Sequence, residues 1–154
     1  MQSLLLPVKY NQGRRCPVCS QSKGEQVIQE YLSKENIVWQ KQYKIITGDA
    51  VLDNKKYDLY LPTYNLIIEV HGFQHYEEVE FVKNQRNRSL LQEQENDKIK
   101  LEYALNNNYR YMVVSHREGD INKTIARFKK QFKKFLEYYN SGKVNETKNK
   151  NRIY

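Results

Sequence analysis

Glu69, His71 and His75 fall close together in the stretch NLIIEVHGFQH, residues 65–75. A carboxylate and two imidazoles can bind a metal or move a proton, and here they stand where the apolar run LIIEV should end as a buried strand. Asp58 lies just upstream in YDLYLP, a second short strand stopped by Pro62, and the PTYN between them is a compact loop of turn residues. If Leu61 and Leu66 close that loop, Asp58 falls directly opposite Glu69, with Cβ atoms about 5 Å apart. Like charges so placed are destabilising unless something compensates. A divalent cation shared by the two carboxylates is one compensation, and shielding by Lys55 or Lys56 is another. Alternation along the strand puts His71 on the face of Glu69, so Asp58, Glu69 and His71 should converge at one edge of the sheet. That set suits metal-assisted hydrolysis. Two carboxylates hold Mg²⁺ or a similar hard ion, which polarises a phosphoryl oxygen and lowers the pKa of its bound water. A histidine takes the proton from that water or steadies the leaving group. Glu25, from a helical first turn, could complete the metal's shell or orient a water. The plain alternative is a pair of exposed hairpin acids with histidines as polar packing.

The elements that must position these groups can be read along the chain. Residues 1–21 look like a basic arm, with Pro7, Gly13 and Pro17 among Lys9, Arg14 and Arg15. SKGE sets Ser22 three residues before Glu25, a capping box, and Val27, Ile28, Tyr31 and Leu32 recur at helical spacing, which predicts a helix over 23–35. NIVWQKQYKII, residues 36–46, reads as a strand, and TGDAVLDNKK as a turn-rich connection. From Glu77 to Asn108 the chain is polar and charged, with Leu90, Leu91, Ile99, Leu101, Tyr103 and Leu105 supporting a helix over its second half. YRYMVVS, residues 109–115, is another strand. Asp120 can cap a last helix with Ile121, Ile125, Phe128, Phe132 and Phe135 or Leu136 on one face, and Lys123, Arg127, Lys129, Lys130, Lys133 and Lys134 on the other. Residues 140–154 have no core-forming pattern and read as a disordered basic tail. This order predicts one domain over 22–139, of α/β or α+β class, with a small mixed central sheet flanked by helices.

Composition narrows the partners. At 154 residues and 39% hydrophobic content, the chain has no apolar run near the ~20 residues of a membrane-spanning helix. MQSLLLPVKY is too short in apolar residues for a signal-peptide core, so the reading is a soluble cytoplasmic protein. With 26 Lys+Arg against 18 Asp+Glu, the net charge of +8 attracts polyanions, nucleic acid first among them. Candidate phosphate contacts are Arg14, Arg15, Lys83, Arg86, Arg88, Lys129, Lys130 and Lys133. Cys16 and Cys19, the only cysteines, form half of a zinc knuckle; they are candidate ligands of a partial or intermolecular Zn²⁺ site, or ordinary reduced thiols. No base-reading module is visible.

The stretch YDLYLPTYNLIIEVHGFQH resembles the core of the PD-(D/E)XK nuclease superfamily, in its very-short-patch-repair-like branch, which includes phage-encoded homing endonucleases of the EDxHD type. The resemblance runs over about residues 16–116, with a CxxC preceding SxGE as in many relatives. It implies a restriction-endonuclease-like core and Mg²⁺- or Mn²⁺-dependent hydrolysis of phosphodiester bonds in double-stranded DNA. On this resemblance Asp58 is the metal-binding Asp, Glu69 is the acid of the (D/E)xK element, and His71 stands where its lysine normally lies. Glu25 matches the first-helix glutamate, Gln74 and His75 fill GxQH, and Asp97 and Lys100 match a DxxK on the following helix. With no lysine at position 71, either His71 acts instead or Lys100 reaches in from the helix. The implied role is a phage or mobile-element nuclease of the homing or repair type, working in the host cytoplasm, with a homodimer as one way to cut both strands. The alternative is a catalytically decayed core kept as a nucleic-acid-binding or host-interaction protein of phage origin.

Overall fold

The computed structural model describes residues 22–72, 86–116, 120–143 and 153–154, with only the backbone of 86–90. Helix α1 (Lys23–Lys34) starts at the capping box, where Ser22 Oγ accepts the Glu25 N–H at 3.1 Å. Strand β1 (Gln40–Tyr43) is shorter than the apolar pattern of 36–46 predicts. Gln42, inside the strand, has a positive φ of 51°, yet the pairing with the next strand continues to Tyr43. Strands β2 (Tyr57–Leu61) and β3 (Leu66–Gly72) are joined by a single 3₁₀ turn opened by Pro62. Asn65 closes it in the left-handed conformation at φ 49°, which asparagine tolerates better than other side chains. Its amide donates to the Asn108 carbonyl at 3.0 Å and accepts from the Tyr60 hydroxyl at 2.9 Å, so the turn is fixed to the rest of the domain.

Helix α2 (Arg86–Asn106) carries the chain from β3 to β4 (Arg110–His116), and helix α3 (Ile121–Asn140) follows. Asp120 caps α3 as its position predicts, its carboxylate accepting from the N–H groups of Asn122 and Lys123. The four strands lie in the order β1-β2-β3-β4, antiparallel except for the parallel β3–β4 pair. This is the small mixed sheet flanked by helices, an α+β fold.

Two apolar layers hold it. On one face, Ile28 and Leu32 of α1 and Phe128, Phe132 and Phe135 of α3 bury Leu59, Ile68, Val70 and Met112. On the other, Tyr103 and Ala104 of α2 cover Tyr57, Ile67 and Tyr111. Burying such side chains contributes about 1.5–3 kcal/mol each. In α3 the inner face begins with Thr124, and Ile121, expected inward, is 38% exposed. At the chain's end Ile153 bridges Tyr111, the Tyr154 N–H donates to the Tyr111 carbonyl at 2.8 Å, and the Tyr154 ring meets Phe135 edge-on at 5.1 Å. The polar pattern of 140–154 does not announce that attachment; residues 144–152 lie outside the described residues. Among the described residues no helix is long and apolar enough to cross a membrane.

Candidate active site

The hairpin has the register the loop predicts: Leu61 pairs with Leu66, Tyr60 with Ile67, and Leu59 with Ile68. One step further, Asp58 and Glu69 face each other, and side chains take over from the backbone ladder. The Asp58 N–H donates to Glu69 Oε2 at 3.1 Å, and the Val70 N–H donates to Asp58 Oδ2 at 2.8 Å. Each carboxylate thus satisfies a donor of the opposite strand. Strand β2 also turns over here. Leu59 and Leu61 point into the α1–α3 layer, while Tyr57 and Tyr60 belong to the α2 layer. Strict alternation would put Tyr57 with Leu59. The break falls at Asp58, which therefore stands between the layers and is felt electrostatically by both Glu25 of α1 and Glu69.

Glu69 is 2% exposed and is paired with the Lys100 ammonium; the Tyr111 hydroxyl donates to the same oxygen, Oε1, at 3.4 Å. Lys100 enters from α2, its ammonium 5.1 Å from the centre of the Tyr57 ring. The Tyr57 hydroxyl donates to the Lys100 carbonyl at 2.8 Å, holding the helical turn that carries the lysine. Compensation of the paired acids therefore comes from Lys100 and not from Lys55, whose ammonium bonds Asn96 Oδ1. His71 is next along β3 on the Glu69 face, its Nε2 3.9 Å from Asp97 Oδ2. Asp97 and Lys100, three apart on α2, share a helix face. His71 and Lys100 are thus brought to the same side of the sheet.

Burial, reinforced by the Asp58 charge, pushes the Glu25 carboxyl up to about 7 against the opposing pull of Ser22 and Lys100. Its Oε2 is buried with no hydrogen-bond partner. Burial and Asp58 likewise raise the Glu69 carboxyl, with Lys100 pulling the other way. The Glu25 shift has a testable sign. A folded pKa above the unfolded one costs nothing below about pH 4.5, and its penalty grows until the pH passes about 7. Glu25→Gln, which keeps the Ser22 cap on the backbone N–H, should match wild type at pH 4 and exceed it in stability at pH 8 without divalent cations. Urea midpoints at the two pH values check this; equal midpoints at pH 8 would show that Glu25 carries no buried charge.

Sequence reasoning passed over His116, at the end of β4. Its Nδ1 lies 2.6 Å from Thr124 Oγ1. Thr124 spends its one hydroxyl proton on the Asp120 carbonyl at 3.0 Å, so His116 Nδ1 is the donor in this pair. The signal was Gly24 in SKGE. A Cβ there would lie 2.9 Å from His116 Cγ and 3.1 Å from Val70 Cγ1, so glycine lets α1 approach β3 and β4 and brings Glu25 to Asp58.

Arg14, Arg15, Cys16, Cys19, Gln74, His75 and Lys83 lie outside the described residues, as do the side chains of Arg86 and Arg88. Lys129, Lys130 and Lys133 are on α3, and they divide between two sides of that helix. Among the described residues no three His, Cys, Asp or Glu side chains already close round one metal position. The acidic donors the geometry offers are Asp58 and Glu69, with Glu25 beside them.

No family model matches the chain, and no curated protein does so either. A solved structure similar to it is titled "Homing Endonuclease I-Bth0305I Catalytic Domain", at 24% identity and a TM-score of 0.45, covering 75% of this chain and 94% of that one.

Proposed function

We propose that the chain is a divalent-cation-dependent endonuclease that hydrolyses phosphodiester bonds in double-stranded DNA, a phage or mobile-element nuclease of the homing or repair type. One observation carries the reading: Glu25 and Glu69 both lie within range of the Asp58 charge, beside the His71–Asp97 pair and Lys100. Such a cluster of acids is costly without cations, and a hard cation takes oxygen ligands of this kind. The buried Glu25 Oε2 without a partner is an acceptor suited to it or to a water it holds. Asp58 and Glu69 would hold Mg²⁺ or Mn²⁺. When bound, such a cation supplies positive charge to a phosphoryl oxygen and acidity to a water. The chain's own groups do the rest. Asp97 orients His71, whose imidazole takes a proton from the attacking water. Lys100 holds Glu69 in place and adds positive charge near the phosphate as negative charge builds there. The basic surplus of the chain supports DNA as the substrate.

Supercoiled plasmid incubated with the protein should be nicked or linearised with Mg²⁺ or Mn²⁺ and left intact with EDTA. No cleavage with either cation would favour the second reading, a decayed core acting in nucleic-acid binding or host interaction. The observation on that side is Lys100, which already neutralises Glu69 without a cation.

A further inference from the structure

We propose that the nucleic-acid backbone is bound in the groove between β4 and α3, through Arg127, Lys130 and Lys134, and not along the opposite flank of α3; this rests on the reading of nucleic acid as the substrate. The lysines of α3 look like one basic face in the sequence, but the buried positions Thr124, Phe128, Phe132 and Phe135 divide its surface into two flanks. Lys129 and Lys133 face α1 across a cavity of about 590 Å³ that Glu35 and Glu137 also line. The Lys129 ammonium lies 5.1 Å from the centre of the Tyr31 ring. Cations on that flank are answered by two acids and an aromatic face. On the other flank Arg127, Lys130 and Gln131 line a cavity of about 320 Å³ with Val113 and Ser115 of β4, and among the described residues no acid lines it. Lys134 stands one turn beyond Lys130 on the same side and is exposed.

The floor of this groove is the outer edge of β4, and its acceptors are already covered. The carbonyls of Tyr111, Val113 and Ser115 accept from the Tyr154 N–H at 2.8 Å, from Gln131 Nε2 at 2.8 Å and from Arg127 Nη1 at 3.2 Å. An edge so occupied does not template a further strand. Covering these oxygens also removes partial negative charge that would repel a phosphate. Arg127 is fixed by its bond to Ser115, and a guanidinium has five N–H groups in a fork that suits phosphate. Register then connects the groove to the carboxylates: Val113 pairs with Glu69 and Ser115 with His71. A backbone lying along β4 therefore runs toward the end of the sheet where those groups stand.

The test compares Lys130→Gln/Lys134→Gln with Lys129→Gln/Lys133→Gln, two variants of equal net charge, by fluorescence anisotropy of a labelled DNA duplex in EDTA across a salt series. Circular dichroism confirms that each is folded. The first pair should weaken binding about tenfold and flatten the plot of log affinity against log salt by about 2, because two phosphate contacts release their counterions. The second pair should keep the wild-type slope. Equal losses in the two variants, or a larger loss in the second, would overturn the assignment of the groove. If wild type cleaves plasmid yet the first pair binds normally, the groove fails and the nuclease reading stands. If wild type neither binds duplex nor cleaves it, both fail together.

Discussion

Replacing Asp58 with asparagine should cut cation-dependent DNA cleavage by about 10²–10³-fold while leaving the protein at least as stable as wild type. The two effects separate because Asp58 has two functions. Its oxygen accepts the Val70 N–H at 2.8 Å, and an asparagine oxygen in the same place can do so too. The Asp58 backbone N–H keeps its bond to Glu69 Oε2, so the latch between the strands survives. What is lost is the negative charge. That charge is one of the causes raising the carboxyls of Glu25 and Glu69, and its removal lets both ionise more readily in the folded state. The stability gain should therefore appear at pH 8 and vanish near pH 4, where those groups are protonated in any case. Cleavage falls because a hard cation is left with a neutral amide where it needs an anionic oxygen. Turnover on plasmid and urea midpoints, taken on one preparation, check the pair. A variant that loses activity only in proportion to lost stability would make Asp58 a structural residue.

The hairpin was legible because its determinants are local. Pro62, Asn65 and the flanking Leu61 and Leu66 set the turn, and the turn sets the register that puts Asp58 opposite Glu69. The caps of α1 and α3 were legible for the same reason, since Ser22 and Asp120 act on N–H groups within three residues. Features that depend on distant partners were not. The reversal of β2 at Asp58 rests on a bond to Val70, and alternation alone places Tyr57 in the wrong layer. The sequence resemblance left His71 and Lys100 as alternatives. Only the packing of α2 against the sheet shows the lysine on Glu69 and the histidine beside Asp97. His116 needed the contact of Gly24 with its ring, and the two flanks of α3 needed the knowledge of which side meets β4. Strand β1 fell short of its apolar pattern because residues 36–39 and 44–46 lie outside the ladder with β2, and β-propensity does not report which residues find a partner.

Lys100→Met should be the most destabilising single change in the site, by about 3–5 kcal/mol at pH 8, because it strands the Glu69 charge in the interior. Lys100 is 9% exposed and Glu69 is 2% exposed, so water cannot replace the lost ammonium. The defect should depend on pH with a definite sign. Burial and Asp58 already raise the Glu69 carboxyl, and loss of Lys100 removes the opposing pull and raises it further. Protonation then relieves the buried charge, so the penalty should shrink as the pH falls from 8 toward 5, whereas wild type changes less over that range. Adding Glu69→Gln should restore most of the stability, since its amide oxygen can accept from the Asp58 N–H while its amide NH2 donates to the Tyr111 hydroxyl oxygen. The double variant should nevertheless cleave no DNA, having lost one of the two proposed cation ligands. Divalent cations should raise the melting temperature of Lys100→Met more than that of wild type, because a cation can neutralise what the lysine no longer does. Melting curves at pH 5 and 8, with and without Mg²⁺, measure all three effects. A single variant whose stability ignored both pH and Mg²⁺ would mean that Glu69 never carries the charge, and the cation would then have to be held without it.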